Sequence, residues 1–101
     1  AIYSLTNKFP SSERFGLMSQ MQRSAVSIPS NIAEGRLRAG EKSFTQFLLI
    51  ALGSCAELQT QLIIAKEIGY IKDFEAKKNE DEIEAIMKMI NGLTKKLKAN
   101  G

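Results

Sequence analysis

Arg23, Asn31, Glu34, Glu57 and Gln61 hold the polar groups most able to do chemistry in the middle of this sequence. At helical spacing, Gln20, Arg23, Ser27, Ser30 and Glu34 recur every three or four residues and form one polar row. Ser54, Glu57 and Gln61 form a second. Set face to face, the rows would make a buried network with Arg23 paired to Glu57, because a lone buried charge is costly. Such a network fixes the register of two helices. A small-molecule or catalytic site and plain solvent exposure are the competing readings, since structural ion pairs also look unusual.

Catalysis has little else to draw on. The chain contains no histidine, which removes the commonest general base and metal ligand. Its one cysteine, Cys55, can form neither an internal disulfide nor a zinc site. It falls on an apolar seam, reads as a small buried residue, and fits a reducing, cytoplasmic compartment. The acidic run at 80–84 reads as the solvated start of a helix rather than a metal site. Residues 35–43, GRLRAGEKS, have the outline of a phosphate-binding loop. However, Glu41 separates Gly40 from Lys42 and the segment follows a helix, so that reading is rejected. No catalytic residue, cofactor or metal is assigned.

The elements that must position these groups are helices. Ile2, Leu5 and Phe9 stripe a short first helix over residues 2–8, which Pro10 stops. Its opening residues lack an N-cap and read as the last turns of a longer helix. Ser11 and Ser12 offer an N-cap for a second helix, running from about 13 to 34. Met18, Met21, Ala25, Ile28 and Ile32 mark its buried face. Pro29 lies inside it, within SIPSNIAEG at 27–35. The stripe passes the proline in phase, which predicts a kinked helix rather than a loop, ended by Gly35 as a left-handed cap.

A third helix is expected from about 41 to 68. Phe44, Leu48, Ala51, Cys55, Leu58, Leu62 and Ala65 alternate at four and three, a period of 3.5 that suits near-parallel packing. The fourth starts near Asp73, a plausible N-cap, and buries Ile83, Ile86, Ile90, Leu93 and Leu97. No stretch reads well as strand. The pattern predicts an all-α, up-down-up-down four-helix bundle, with residues 1–101 forming a single domain.

Composition agrees: 44% of residues are hydrophobic and 25% charged, ordinary values for a globular domain. The longest uninterrupted apolar run, FLLIAL at 47–52, is far short of the roughly 20 residues a membrane span requires. The third helix is nevertheless apolar around much of its circumference. In a small domain that implies burial on two sides, the second against another copy, with Phe47 and Ile50 on the outer face. In an up-down bundle, the loop after helix two and the end of helix four share one end. That end collects Arg36, Arg38, Lys42, Lys95, Lys96 and Lys98 against Glu34 and Glu41. The chain's formal net charge is +3. Solvated surface charge is the plain reading; a phosphate backbone is the partner such a patch would hold, more strongly if a ring repeats it. Interleaved aromatics are absent there, which argues against base recognition.

The runs SIPSNIAEGR at 27–36 and FLLIALGSCAELQTQLIIAKEIGYI at 47–71 resemble one family, the bacterial proteins encoded in intervening sequences of 23S rRNA genes. The likeness spans almost the whole chain. It implies a four-helix bundle assembling as a ring, a homopentamer. It also implies kinship with the accessory protein of diversity-generating retroelements, a basic pentamer that engages nucleic acid. The family's first helix is longer than the one visible here. Together, residues and resemblance lead to a non-enzymatic oligomer acting as a sequence-independent binder of RNA or DNA, or as a scaffold. The competing reading is a protein-interaction adaptor that binds no nucleic acid.

Overall fold

The computed structural model describes residues 2–7, 9–10, 16–38 and 40–100. Among them are four α-helices and no strand: α1 (Ile2–Thr6), α2 (Leu17–Leu37), α3 (Glu41–Glu67) and α4 (Asp73–Asn100). The arrangement is that of a four-helix bundle with a very short first member. α3 is the central helix. It shares its broadest contact with α2 and its next broadest with α4, while α1 rests on α2. The Cα extents of 46 × 24 × 16 Å describe an elongated slab.

The buried residues follow the 3.5-residue pattern. Leu48, Ala51, Cys55, Leu58, Leu62 and Ala65 of α3 are buried, and Phe44 packs at the margin of the core. Met21 and Ile28 from α2, Ile83 and Ile90 from α4, and Ile2 and Leu5 with Phe9 just beyond α1 complete it. Thr6 ties α1 down: its hydroxyl accepts a 2.8 Å hydrogen bond from the Gln22 amide and donates to the Tyr3 carbonyl at 3.3 Å. Phe9 packs on Tyr70 with ring centroids 5.1 Å apart, joining the chain after α1 to the α3–α4 turn.

Three local expectations change. First, residues 27–35 are helical, and α2 passes through Pro29 as the in-phase stripe required. Gly35, however, does not cap it. The helix continues to Leu37, and Gly35 is buried against α3. A Cβ there would lie 2.8 Å from Phe47 Cβ and 3.0 Å from Phe44 Cδ1, so the missing side chain lets the two backbones close up. Second, Asp73 is the first helical residue of α4, and the capping carboxylate belongs to Glu75, which accepts from the Lys72 N–H at 3.0 Å. Third, α3 is long and apolar enough, by length and composition, to cross a membrane. Its inner face forms the core between α2 and α4. The six-residue run had concealed this because isolated Gly, Ser, Thr and Gln interrupt the apolar stretch without making it polar.

The end of α3 is as expected. Gly69 adopts φ +85°, and the Gly69 and Tyr70 amides donate back to Lys66 and Ala65 at 3.1 and 2.9 Å. This pair of bonds is a Schellman closure, which a glycine at that position permits. The proposed Ser11/Ser12 cap and the helical start at 13 lie outside the described residues, as does Lys8.

Candidate functional site

The two polar rows do meet. Gln20, Arg23, Ser24 and Ser27 from α2 face Ser54, Glu57 and Gln61 from α3 across a cleft of about 420 Å³. At one side of it runs a chain of hydrogen bonds. The Asn31 amide donates to the Ser27 carbonyl at 2.8 Å and to its hydroxyl at 2.9 Å. Ser27 and Ser54 hydroxyls lie 2.8 Å apart, and Ser54 donates to the Ile50 carbonyl at 3.3 Å. With the Ser54 proton on that carbonyl, Ser27 supplies the proton between the two serines. Two residues before Pro29, Ser27 stitches α2 to α3.

The charged members behave differently from expectation. Arg23 and Glu57 are both exposed and make no ion pair with each other; the ion pairs among the described residues lie elsewhere. Glu34 is not part of the network. Its Oε1 accepts from Arg38 Nη2 at 2.9 Å and Nε at 3.2 Å, on the surface. Gln61 is buried, and its Oε1 has no hydrogen-bond partner. An unmet buried acceptor costs about 1–3 kcal/mol.

The basic residues do gather at one end. Arg36 and Arg38 border a depression with Glu41 of α3 and Leu93 of α4. Lys95 and Lys98 border another, beside Leu49. Lys42 and Lys96 are exposed. Arg38 is held in place by Glu34 and by the Phe47 ring, 5.5 Å from its guanidinium carbon. Phe47 is therefore not on the outer face of α3: it is half-buried and packs towards Gly35 and Arg38. Ile50 is on that face, 51% exposed. Its apolar neighbours are Leu49, Ile63 and Ile64, with Gly53 and Ala56 between them. None of Leu49, Ile63 and Ile64 had been singled out. The available signal was that they fall out of phase with the core stripe.

Cys55 lies fully in the core, and burial pushes its thiol pKa up. At the opposite end, Lys77 bonds to Asp81 at 3.0 Å, and that carboxylate raises the lysine's pKa. No group of three or more metal-ligating side chains occurs among the described residues.

An all-helical bundle with a polar α2–α3 cleft, a basic end and an apolar outer face thus defines the class. The sequence profile of the 23S rRNA-intervening sequence protein family matches residues 1–92, and the chain belongs to that family. A solved structure is similar: a protein of unknown function from the S23 ribosomal protein family of Bacteroides thetaiotaomicron. The two share 24% identity and a TM-score of 0.86 over 93% of this chain and 88% of the other, which shows a common fold. No match is found among curated proteins.

Proposed function

We propose that this protein is a non-enzymatic, cytoplasmic bundle that assembles with copies of itself as a ring, pentameric as the family likeness implies. In this reading the ring holds RNA or DNA through phosphate contacts or scaffolds a complex built on them. The observation that carries the proposal is the collection of six cations at one end of the bundle, from α2, its following turn, α3 and α4. A single patch of this size binds weakly. A ring repeats it, and avidity then grows when one strand reaches several patches. The outer face of α3 supplies the contact that would build the ring.

Fluorescence anisotropy with labelled RNA, duplex DNA and RNA–DNA hybrid, at low and then rising salt, tests the reading. Binding should be insensitive to sequence, because phosphate contacts position without specifying. Ile50→Glu should dissociate the assembly while leaving helical content unchanged, and should weaken binding without touching a basic residue. A wild type that is monomeric at micromolar concentration contradicts the ring. An intact oligomer that binds none of the probes at low salt leaves the protein-adaptor function in its place.

A further inference from the structure

Charge is scarce along the two helices that form the polar cleft. Between residues 17 and 33, α2 carries one charged side chain, Arg23. Between residues 43 and 65, α3 carries one, Glu57. The two are opposite in sign and line the same cleft, yet they form no ion pair. Beneath them, Gln61 offers a buried carbonyl oxygen with no donor. Beside them lies the uncovered apolar face of α3, where Leu49, Ile50, Ile63 and Ile64 are each 43–51% exposed. A Cβ added at Gly53 would meet nothing within 4 Å, so that face is open to close approach by another backbone.

We infer that the cleft is completed by a second copy of this chain, with Arg23 of one copy paired to Glu57 of the next. The inference rests on the oligomeric reading above. Covering the apolar face of α3 takes Glu57 out of water with it, and a desolvated carboxylate must be paired. Arg23 is the one cation on the α2 side of the cleft. A guanidinium has five donors in a rigid fork, so it can meet both carboxylate oxygens and still donate to the orphaned Gln61 oxygen. A small polar ligand could satisfy the charges but would leave the neighbouring isoleucines in water. A second copy covers both. The pair would then act as a register key, admitting only the alignment that brings unlike charges together.

Light scattering on Arg23→Glu, Glu57→Arg, the double variant and an equimolar mixture of the two single variants tests this. Circular dichroism serves as the folding control. Each single reversal should weaken association about tenfold or more while helicity stays intact, consistent with measured couplings of close interfacial charges. The double variant should regain the wild-type mass. The mixture should associate more strongly than either single variant, because every contact between unlike variants restores the pair, although a five-membered ring leaves at least one contact between like variants. If wild type is an oligomer and neither reversal changes its mass, the pairing is wrong while the oligomer stands. If the double variant recovers but the mixture associates no better than the single variants, the pair forms within one chain and the inference fails. If a reversal unfolds the chain, Arg23→Gln and Glu57→Gln replace it; unchanged association in both overturns the inference. A monomeric wild type overturns the oligomeric reading itself.

Discussion

The two ends of the bundle are built by the same three long helices but differ in charge: one is basic and the other nearly balanced. Where α2 stops, α3 starts and α4 finishes, Arg36, Arg38, Lys42, Lys95, Lys96 and Lys98 face solvent. Where α3 stops and α4 starts, Glu67, Asp73, Glu75, Glu80 and Asp81 are interleaved with Lys66, Lys72, Lys77 and Lys78, so the charge there is nearly balanced. Lys77 at that end is tied to Asp81, as Arg38 at the basic end is tied to Glu34. Helix dipoles account for part of the difference. Acid at the start of α4 and base at the ends of α2 and α4 are each stabilising. Lys42 runs against that rule, because it sits in the first turn of α3. Cations gathered from two helix ends and one helix start are more than three separate helices need for their own stability.

The first way to probe this contrast is through the shared core. Leu48 and Leu62, one nearer each end of α3, are both fully buried. Leu48→Ala and Leu62→Ala should each cost about 2–5 kcal/mol, the range for buried leucines. Urea unfolding should show one transition in both. Two separated transitions in either would mean that the ends are independent units.

Pro29→Ala comes next. Proline inside a helix costs about 3 kcal/mol, and Pro29 is exposed, so the replacement should keep the helix and raise stability by up to that amount. A loss of helicity by circular dichroism would show that the proline holds a bend the fold depends on. Gly35→Ala should act in the opposite sense. The gain in helix propensity, about 1 kcal/mol, is outweighed by a Cβ that would sit 2.8 Å from Phe47 Cβ, and the net loss should be about 1–3 kcal/mol. An unchanged urea midpoint would mean that α2 and α3 can part beneath the basic end without cost.

The smallest effect concerns Cys55. Burial raises its pKa, so the folded thiol keeps a proton that the unfolded thiol gives up first. Its contribution to stability is whole below about pH 8.5, the ordinary thiol value, and is lost as pH rises through the raised folded value. Cys55→Ala should remove that component from the alkaline side of the stability profile. A profile identical to wild type would contradict it.

Much of the fold was legible because burial is periodic. The stripe through Leu48, Cys55 and Leu62 located α3, and the stripe through Ile28 and Ile32 carried α2 across Pro29. Gly35 was misread because two roles of glycine, ending a helix and admitting a neighbour, leave the same mark in a sequence. Phe47 was assigned to the wrong face because an aromatic beside a core stripe can turn to either flank; Gly35 and Arg38 decide which. The site was legible as a juxtaposition of Arg23, Ser27, Ser54, Glu57 and Gln61, since helical spacing fixes which residues share a row. Whether two long, exposed side chains pair is settled by solvation and by what covers them. Neither is written in the spacing.

The central claim is that the basic end, and not the opposite one with its interleaved lysines, holds phosphate. Its most direct test compares the salt dependence of RNA binding for two variants of the intact oligomer. One replaces Arg36, Arg38, Lys95 and Lys96 by glutamine; the other replaces Lys66, Lys77 and Lys78. Each lost phosphate contact should lower the slope of log K against log salt by about 0.7 on single strands. The first variant should therefore bind all sequences more weakly, with a slope flatter by up to about 3 for each bundle end engaged. The second should follow wild type closely. Equal losses in both variants, or a slope untouched by the first, would contradict the account.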